Sequence, residues 1–392
     1  MNNGSYIFKQ LCQFLPKDYF EYLVDKYEGN KYIKSFTCWN HLMVLLWAQL
    51  TARESLRDIV GSLNAHKSKY YRLGFGKSVC RTTLSEANEK RNVEIFRLFS
   101  ERMVEIAQQK KLTIDDLFID EIPHQIFALD STIIALKLEK FKWSKKQNGK
   151  GGIKIHTLFD ILTSIPICNI ITDHDIRDQS LMDHFQYKSD AFYIFDKAYV
   201  KLLSLSKINE TGGYFIVRRK KKMNFEIIEE YNCDGHKDGV LQDLKIVLSN
   251  RWAKARYKEP LRIIYYYSQD KKCILEFFTN NMNLEAHKIA LLYKCRWQIE
   301  LYFKWIKQHL RIKQFYGTSE NAVKIQIYVG IITYCLVALV GAEFKLKMSP
   351  FELLRTLSVS LFEKETHLRK FLLKAEAYDN LQSVSNCQLK LF

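Results

Sequence analysis

Two short apolar runs that each carry an aspartate constrain this chain most. His124 to Leu136 (HQIFALDSTIIAL) has the β-branched and aromatic content of a strand, yet Asp130 stands inside it between Leu129 and Ser131. Ala191 to Phe195 (AFYIF) reads as a second buried strand, and it ends in Asp196. Burying a carboxylate without a partner is expensive, so Asp130 calls for a partner from elsewhere in the fold.

A third acid stands in a helical stretch, Tyr293 to Lys307 (YKCRWQIELYFKWIK). No Pro or Gly occurs from Leu284 to Ile312, which predicts one continuous helix. At about 100° per residue, Tyr293, Arg296, Glu300 and Lys307 fall within an arc of roughly 60°. Cys295, Ile299, Tyr302, Phe303, Ile306 and Leu310 gather on another side and supply a packing face. One carboxylate is thus aligned with a planar fork of donors, a point charge and a phenol, groups that suit a metal ion and phosphates. The same spacing also suits a solvated face with i,i+4 pairs such as Glu300 with Lys304.

Lys and Arg number 60 against 43 Asp and Glu, a formal net charge of +17, which favours a polyanionic partner, nucleic acid or an anionic membrane surface. At 392 residues, with 47% hydrophobic residues and five Pro, the chain can bury cores for two or three domains and leaves little room for long disorder. Nine Cys without a C-x-x-C pair argue against a disulfide framework and a zinc finger. The opening MNNGSYIFKQ has no apolar signal core, so a reducing cytoplasm is expected. Ile325 to Val340 (IQIYVGIITYCLVALV) is shorter than the ~20 residues of a membrane span and reads as a buried helix.

Residues 1–110 read as an all-α domain. Apolar residues recur at helical spacing in Tyr6 to Leu15, Trp39 to Leu50 and around Ile95 to Ile106. Glu54 to Leu63 and Arg81 to Asn92 are candidate halves of a helix-turn-helix, with Thr82, Thr83 and Ser85 placed for N-capping or phosphate contacts; an ordinary bundle with a basic surface fits as well. Asp115, Asp116, Asp120 and Glu121 read as a solvated acidic connector. Strands are expected at Ile153 to Phe159, Ile165 to Thr172 and Tyr214 to Val217, with helices around Ser180 to Phe185 and Ala198 to Asn209. Residues of about 218–280 read as a mostly β insertion, with strands at Phe225 to Glu229, Leu244 to Leu248, Leu261 to Tyr267 and Cys273 to Thr279. The basic run Arg218, Arg219, Lys220, Lys221 and Lys222 is either a solvated strand edge or a DNA-backbone contact. His156, His174 and His184 lack the i,i+4 pairing of a transition-metal site.

Three carboxylates on two strands and a helix would repel one another unless cations joined them; a pair of Mg²⁺ ions ~4 Å apart could then activate an attacking oxygen and stabilise a leaving one at phosphorus. On residues alone, three unrelated acids are the favoured reading. The helix, however, resembles the Tyr-x2-Arg-x3-Glu-x6-Lys signature of bacterial insertion-sequence transposases of the insertion-sequence-four family at every spacing, with Trp297 where that family often has Trp. ALDST around Asp130, KIHTLFD from Lys154, FDKAYV around Asp196, YFIVRRKK from Tyr214 and GTSENAVKIQI from Gly317 are similar to further segments, so the likeness covers nearly the whole chain.

The resemblance implies an α/β, ribonuclease-H-like catalytic core over 120–315, preceded by the helical DNA-binding domain and followed by a helical region over 316–392. It makes Asp130, Asp196 and Glu300 the catalytic, metal-binding acids, and Tyr293, Arg296 and Lys307 the phosphate holders. Two Mg²⁺ per site are implied, with Mn²⁺ substituting. Trp297, Arg218, Arg219, Lys220, Arg81, Thr82 and Thr83 become candidate DNA contacts. The partners implied are double-stranded DNA, as the inverted-repeat ends of the element and its target, and a second copy in a homodimeric complex. Two departures stand out. Arg177 precedes Asp178 where His-Asp is expected, which leaves Asp178 outside the catalytic set, and Lys197 follows Asp196 where Gly or Arg is common. The family's base-capturing Trp has only Trp252 as a candidate. Other readings are a silent DNA-binding repressor derived from a transposase and a ribonuclease-H-like nuclease.

Overall fold

The computed structural model describes residues 4–110, 125–144, 151–220, 223–231, 239–309 and 315–377. The expected acidic connector, Lys221 and Lys222 lie outside the described residues. The chain forms two compact units: one of Met1–Leu112, Ile134–Gly151 and Phe303–Phe392, the other of Thr113–Ile133 and Gly152–Tyr302.

The first unit begins with β1 (Ser5–Tyr6) and seven helices: α1 (Ile7–Cys12), α2 (Lys17–Lys26), α3 (Cys38–Leu50), α4 (Leu56–Asn64), α5 (Tyr70–Leu73), α6 (Arg81–Lys90) and α7 (Val93–Gln109). Capping sets their starts. Thr37 and Asn40 form a reciprocal capping box on α3, Ser55 accepts from Asp58 N–H on α4, and Asn92 accepts from Glu94 N–H on α7. The cap of α6 is Cys80, whose sulfur accepts from Thr83 N–H, so Thr82, Thr83 and Ser85 lie inside the helix and not at its cap.

The second unit is built on one nine-stranded mixed sheet in the order β4-β3-β2-β5-β6-β10-β9-β8-β7. Its strands are β2 (Gln125–Leu136), β3 (Gly151–Asp160), β4 (Ile165–Asp173), β5 (Ala191–Phe195), β6 (Tyr214–Arg218), β7 (Phe225–Glu230), β8 (Val240–Leu248), β9 (Leu261–Ser268) and β10 (Cys273–Thr279). The last four, the expected insertion, extend the central sheet by antiparallel pairing of β10 with β6. A buried ion pair fixes two of them: Arg262 of β9 donates to both carboxylate oxygens of Asp243 of β8, at 2.7 and 2.5 Å.

Among the described residues, four helices complete this part of the chain: α8 (Leu202–Glu210), α9 (Arg251–Lys254), α10 (Ala286–Cys295) and α11 (Trp297–His309). The helix expected at Ser180 to Phe185 is a 3-10 segment, Asp178–His184, and α8 starts later than expected, after a 3-10 turn at Lys197–Tyr199. Of the unbroken helix expected from Leu284 to Ile312, the described part, to His309, is two helices that meet at Arg296. There Arg296 N–H bonds to Tyr293 O and Ile299 N–H to Arg296 O, i→i−3 bonds that tighten the turn without any Gly or Pro.

The chain then completes the first unit with α12 (Glu320–Phe344), α13 (Pro350–Ser360) and β11 (Lys364–Glu365), which pairs with β1. α12 is apolar on all sides and is packed by α3, α6, α7 and α13. At 25 residues it outruns the apolar segment read from the sequence and is long and apolar enough to cross a bilayer, but 94% of its most apolar window is buried inside the protein. Its polar groups are satisfied within: Gln326 Oε1 accepts from Tyr316 N–H and Thr333 Oγ1 donates to Val329 O.

Candidate active site

The register of the parallel strands places the first two acids. In β2 and β5, Leu129 pairs with Phe195, so Asp130 and Asp196 each stand one position beyond the last pair. Paired positions on neighbouring strands share a face, and successive residues alternate. Phe127, Leu129, Tyr193, Phe195, Phe215 and Val217 fill one core cluster, which leaves Asp130 and Asp196 on the opposite face.

The junction of α10 and α11 supplies the cation to that face. The Arg296 guanidinium donates to Asp130 Oδ2 at 2.9 Å and to Glu300 Oε1 at 2.5 Å, and it is only 11% exposed. Tyr293 Oη donates to Asp196 Oδ1 at 3.4 Å, and the Tyr293 ring lies 4.6 Å from that of Phe277 on β10. The second Asp130 oxygen, Oδ1, accepts the Ser131 backbone N–H at 2.8 Å. Five of the residues singled out from the sequence therefore converge: Asp130, Asp196, Tyr293, Arg296 and Glu300.

Burial raises the Asp130 carboxyl to about 6; the charges of Glu300 and Asp196 add to the rise, and Arg296 with the Ser131 N–H opposes it. Burial likewise raises the Tyr293 phenol to about 12, with Asp196 adding and Arg296 and Arg218 opposing. Among the described residues no cluster of three or more His, Cys, Asp or Glu is set for metal binding. One guanidinium stands between Asp130 and Glu300 instead and pairs with both. The donor set still fits a hard divalent cation, because two carboxylate oxygens already converge on a single positive group.

The remaining candidates belong to both units. Lys307 is exposed near the end of α11 and belongs to the first unit. Trp297 is exposed at the start of α11, and Arg81, Thr82 and Thr83 are exposed on α6. Arg219 is engaged internally, donating to Glu276 at 2.5 Å and lying over the Phe225 ring, whereas Lys220 reaches Val200 O at 3.4 Å. Trp252 is exposed on α9 beside Arg256 and lines a cleft with Lys201, Lys220 and Asn224.

Residues 121–336 match the transposase DDE domain, more than half of the chain, and the protein belongs to that family. Residues 3–76 match a separate domain of unknown function. The chain is 31% identical over 239 residues to a protein of Sinorhizobium fredii named as transposase y4zB, covering 60% of this chain and 66% of the relative. It is 23% identical to a Geobacillus stearothermophilus protein named for the transposase of insertion sequence element IS5377, covering 55% and 56%. To a Synechocystis protein named for the transposase of insertion sequence element IS4SA it is 25% identical, covering 78% and 86%. The chain thus spans 66% and 56% of the first two of these relatives. A DDE transposase domain carries a general dependence on divalent metal.

Proposed function

We propose that this protein is a cut-and-paste DNA transposase of the insertion-sequence-four type, with a ribonuclease-H-like core, which acts in the cytosol on the inverted-repeat ends of its own element. The observation that carries the reading is the meeting of Asp130 and Glu300 on Arg296, with Asp196 in register beside them. Asp130, Asp196 and Glu300 would hold two Mg²⁺ or Mn²⁺ ions, which when bound supply a charge clamp for in-line displacement at phosphorus. The chain's own residues then bind and orient. Arg296 is placed to exchange carboxylates for a phosphate, which its planar fork matches equally well, and Tyr293 can donate to a second phosphate oxygen. Lys307, Trp297, Arg81, Thr82, Thr83, Arg218 and Lys220 are further candidate contacts to the DNA. Water cleaves first, the freed 3′ hydroxyl attacks next, and the reading extends to a hairpin intermediate and a homodimeric DNA complex.

The test is cleavage of a duplex carrying the DNA that flanks the gene. Asp130→Ala, Asp196→Ala and Glu300→Ala should each lose cleavage by at least about a thousandfold while duplex binding stays within a few-fold of the parent. A variant that cuts at the parental rate removes its residue from the site. Tight binding by the parent with no metal-dependent cutting would favour a repressor, and preference for branched DNA over element ends would favour a nuclease.

A further inference from the structure

On the far face of the sheet from Arg296, a second polar network grips β2 at the residue after Asp130. Ser131 Oγ donates to Asp178 Oδ1 at 2.6 Å. Lys154, nearly buried on β3, donates to the same oxygen at 3.1 Å and to Ile176 O at 2.7 Å. Ser131 therefore works in two directions. Its hydroxyl is tied down by Asp178, and its backbone N–H holds Asp130 Oδ1, which leaves Oδ2 turned toward the cation. Strand alternation makes this possible, since adjacent residues present side chains to opposite faces.

We propose that Asp178 is a positioning residue: through Ser131 it fixes the middle of β2, from which Asp130 projects, and so sets how that carboxylate meets a divalent cation. The proposal rests on the transposase reading for the identity of the cation site. Asp178 touches neither the substrate nor the acids themselves. It anchors a serine whose backbone orients one of them, and a buried lysine holds the anchor in place.

The test is Mn²⁺ titration of the full-length protein, with free Mn²⁺ read by electron paramagnetic resonance and melting temperature measured in parallel. Ser131→Ala and Asp178→Ala should weaken Mn²⁺ binding by about tenfold or more, whereas Ser131→Thr, which keeps the hydroxyl, should stay within about threefold of the parent. Ser131→Ala leaves the Lys154 pair intact, so it decides the matter if Asp178→Ala fails to fold. Parental Mn²⁺ affinity in Ser131→Ala, or a lower melting temperature with unchanged affinity, would overturn the proposal alone. Parental affinity in Asp130→Asn would instead remove the cation site, and the proposal with it.

Discussion

Arg296 is the residue on which the site balances. Two carboxylates converge on its guanidinium in a place that is largely closed to water, and removing one partner of such a group leaves uncompensated charge. Arg296→Met is expected to lower stability by about 3 kcal/mol in metal-free buffer. Added Mg²⁺ or Mn²⁺ should recover more stability in the variant than in the parent, because a cation then takes over the neutralising role. Thermal melts with and without metal check this; equal metal responses would show that the carboxylates do not share a cation site. The candidate acids were legible for different reasons: Asp130 interrupts an apolar strand, Asp196 ends one, and Glu300 shares a helix face with Tyr293, Arg296 and Lys307. Asp178 was not. Its role depends on a hydrogen bond from Ser131 and a buried Lys154, contacts between strands and loops that no local pattern encodes.

At the level of elements, the strands were readable from β-branched and aromatic runs, but their pairing was not, because register between distant segments is a tertiary property. Thus β7 to β10 read as an insertion, and in the fold they lengthen the central sheet. The pair that ties β8 to β9 is a sharp test of that arrangement. Asp243→Ala should destabilise the second unit by about 3–5 kcal/mol, measured by urea denaturation, since it strands Arg262 with both partners only 6% exposed. The break at Arg296 also escaped the sequence, because i→i−3 bonding needs no special residue.

The helices of the first unit carry a pH signature. His41 on α3 is buried, with Nε2 2.7 Å from Asn88 Oδ1 on α6. Burial holds its imidazole well below the usual 6.5, the Arg91 charge adds to that, and the Asn88 bond opposes it. Below pH 6.5 the unfolded chain takes up a proton that the folded one refuses, so stability rises with pH up to about 6.5 and is lost as pH falls. The slope from this group is at most about 1.4 kcal/mol per pH unit. His41→Gln should flatten the dependence between pH 5 and 6.5; an unchanged slope would mean that His41 is protonated in the fold.

For the molecule as a whole, the charge of +17 and the site acids point in opposite directions, and the transposase reading reconciles them: basic surface gathers a polyanion, and a small acidic centre acts on it. The buried α12 answers the other whole-chain question, since its apolar length is spent on packing α3, α6, α7 and α13. The most direct measurement is cleavage of a labelled duplex carrying the DNA that flanks the gene, with Mg²⁺ or with chelator, by the parent and by Glu300→Ala. The account predicts cutting at the repeat boundary that requires Mg²⁺ and is lost in the variant. Cutting that persists with chelator, or in Glu300→Ala, would contradict it.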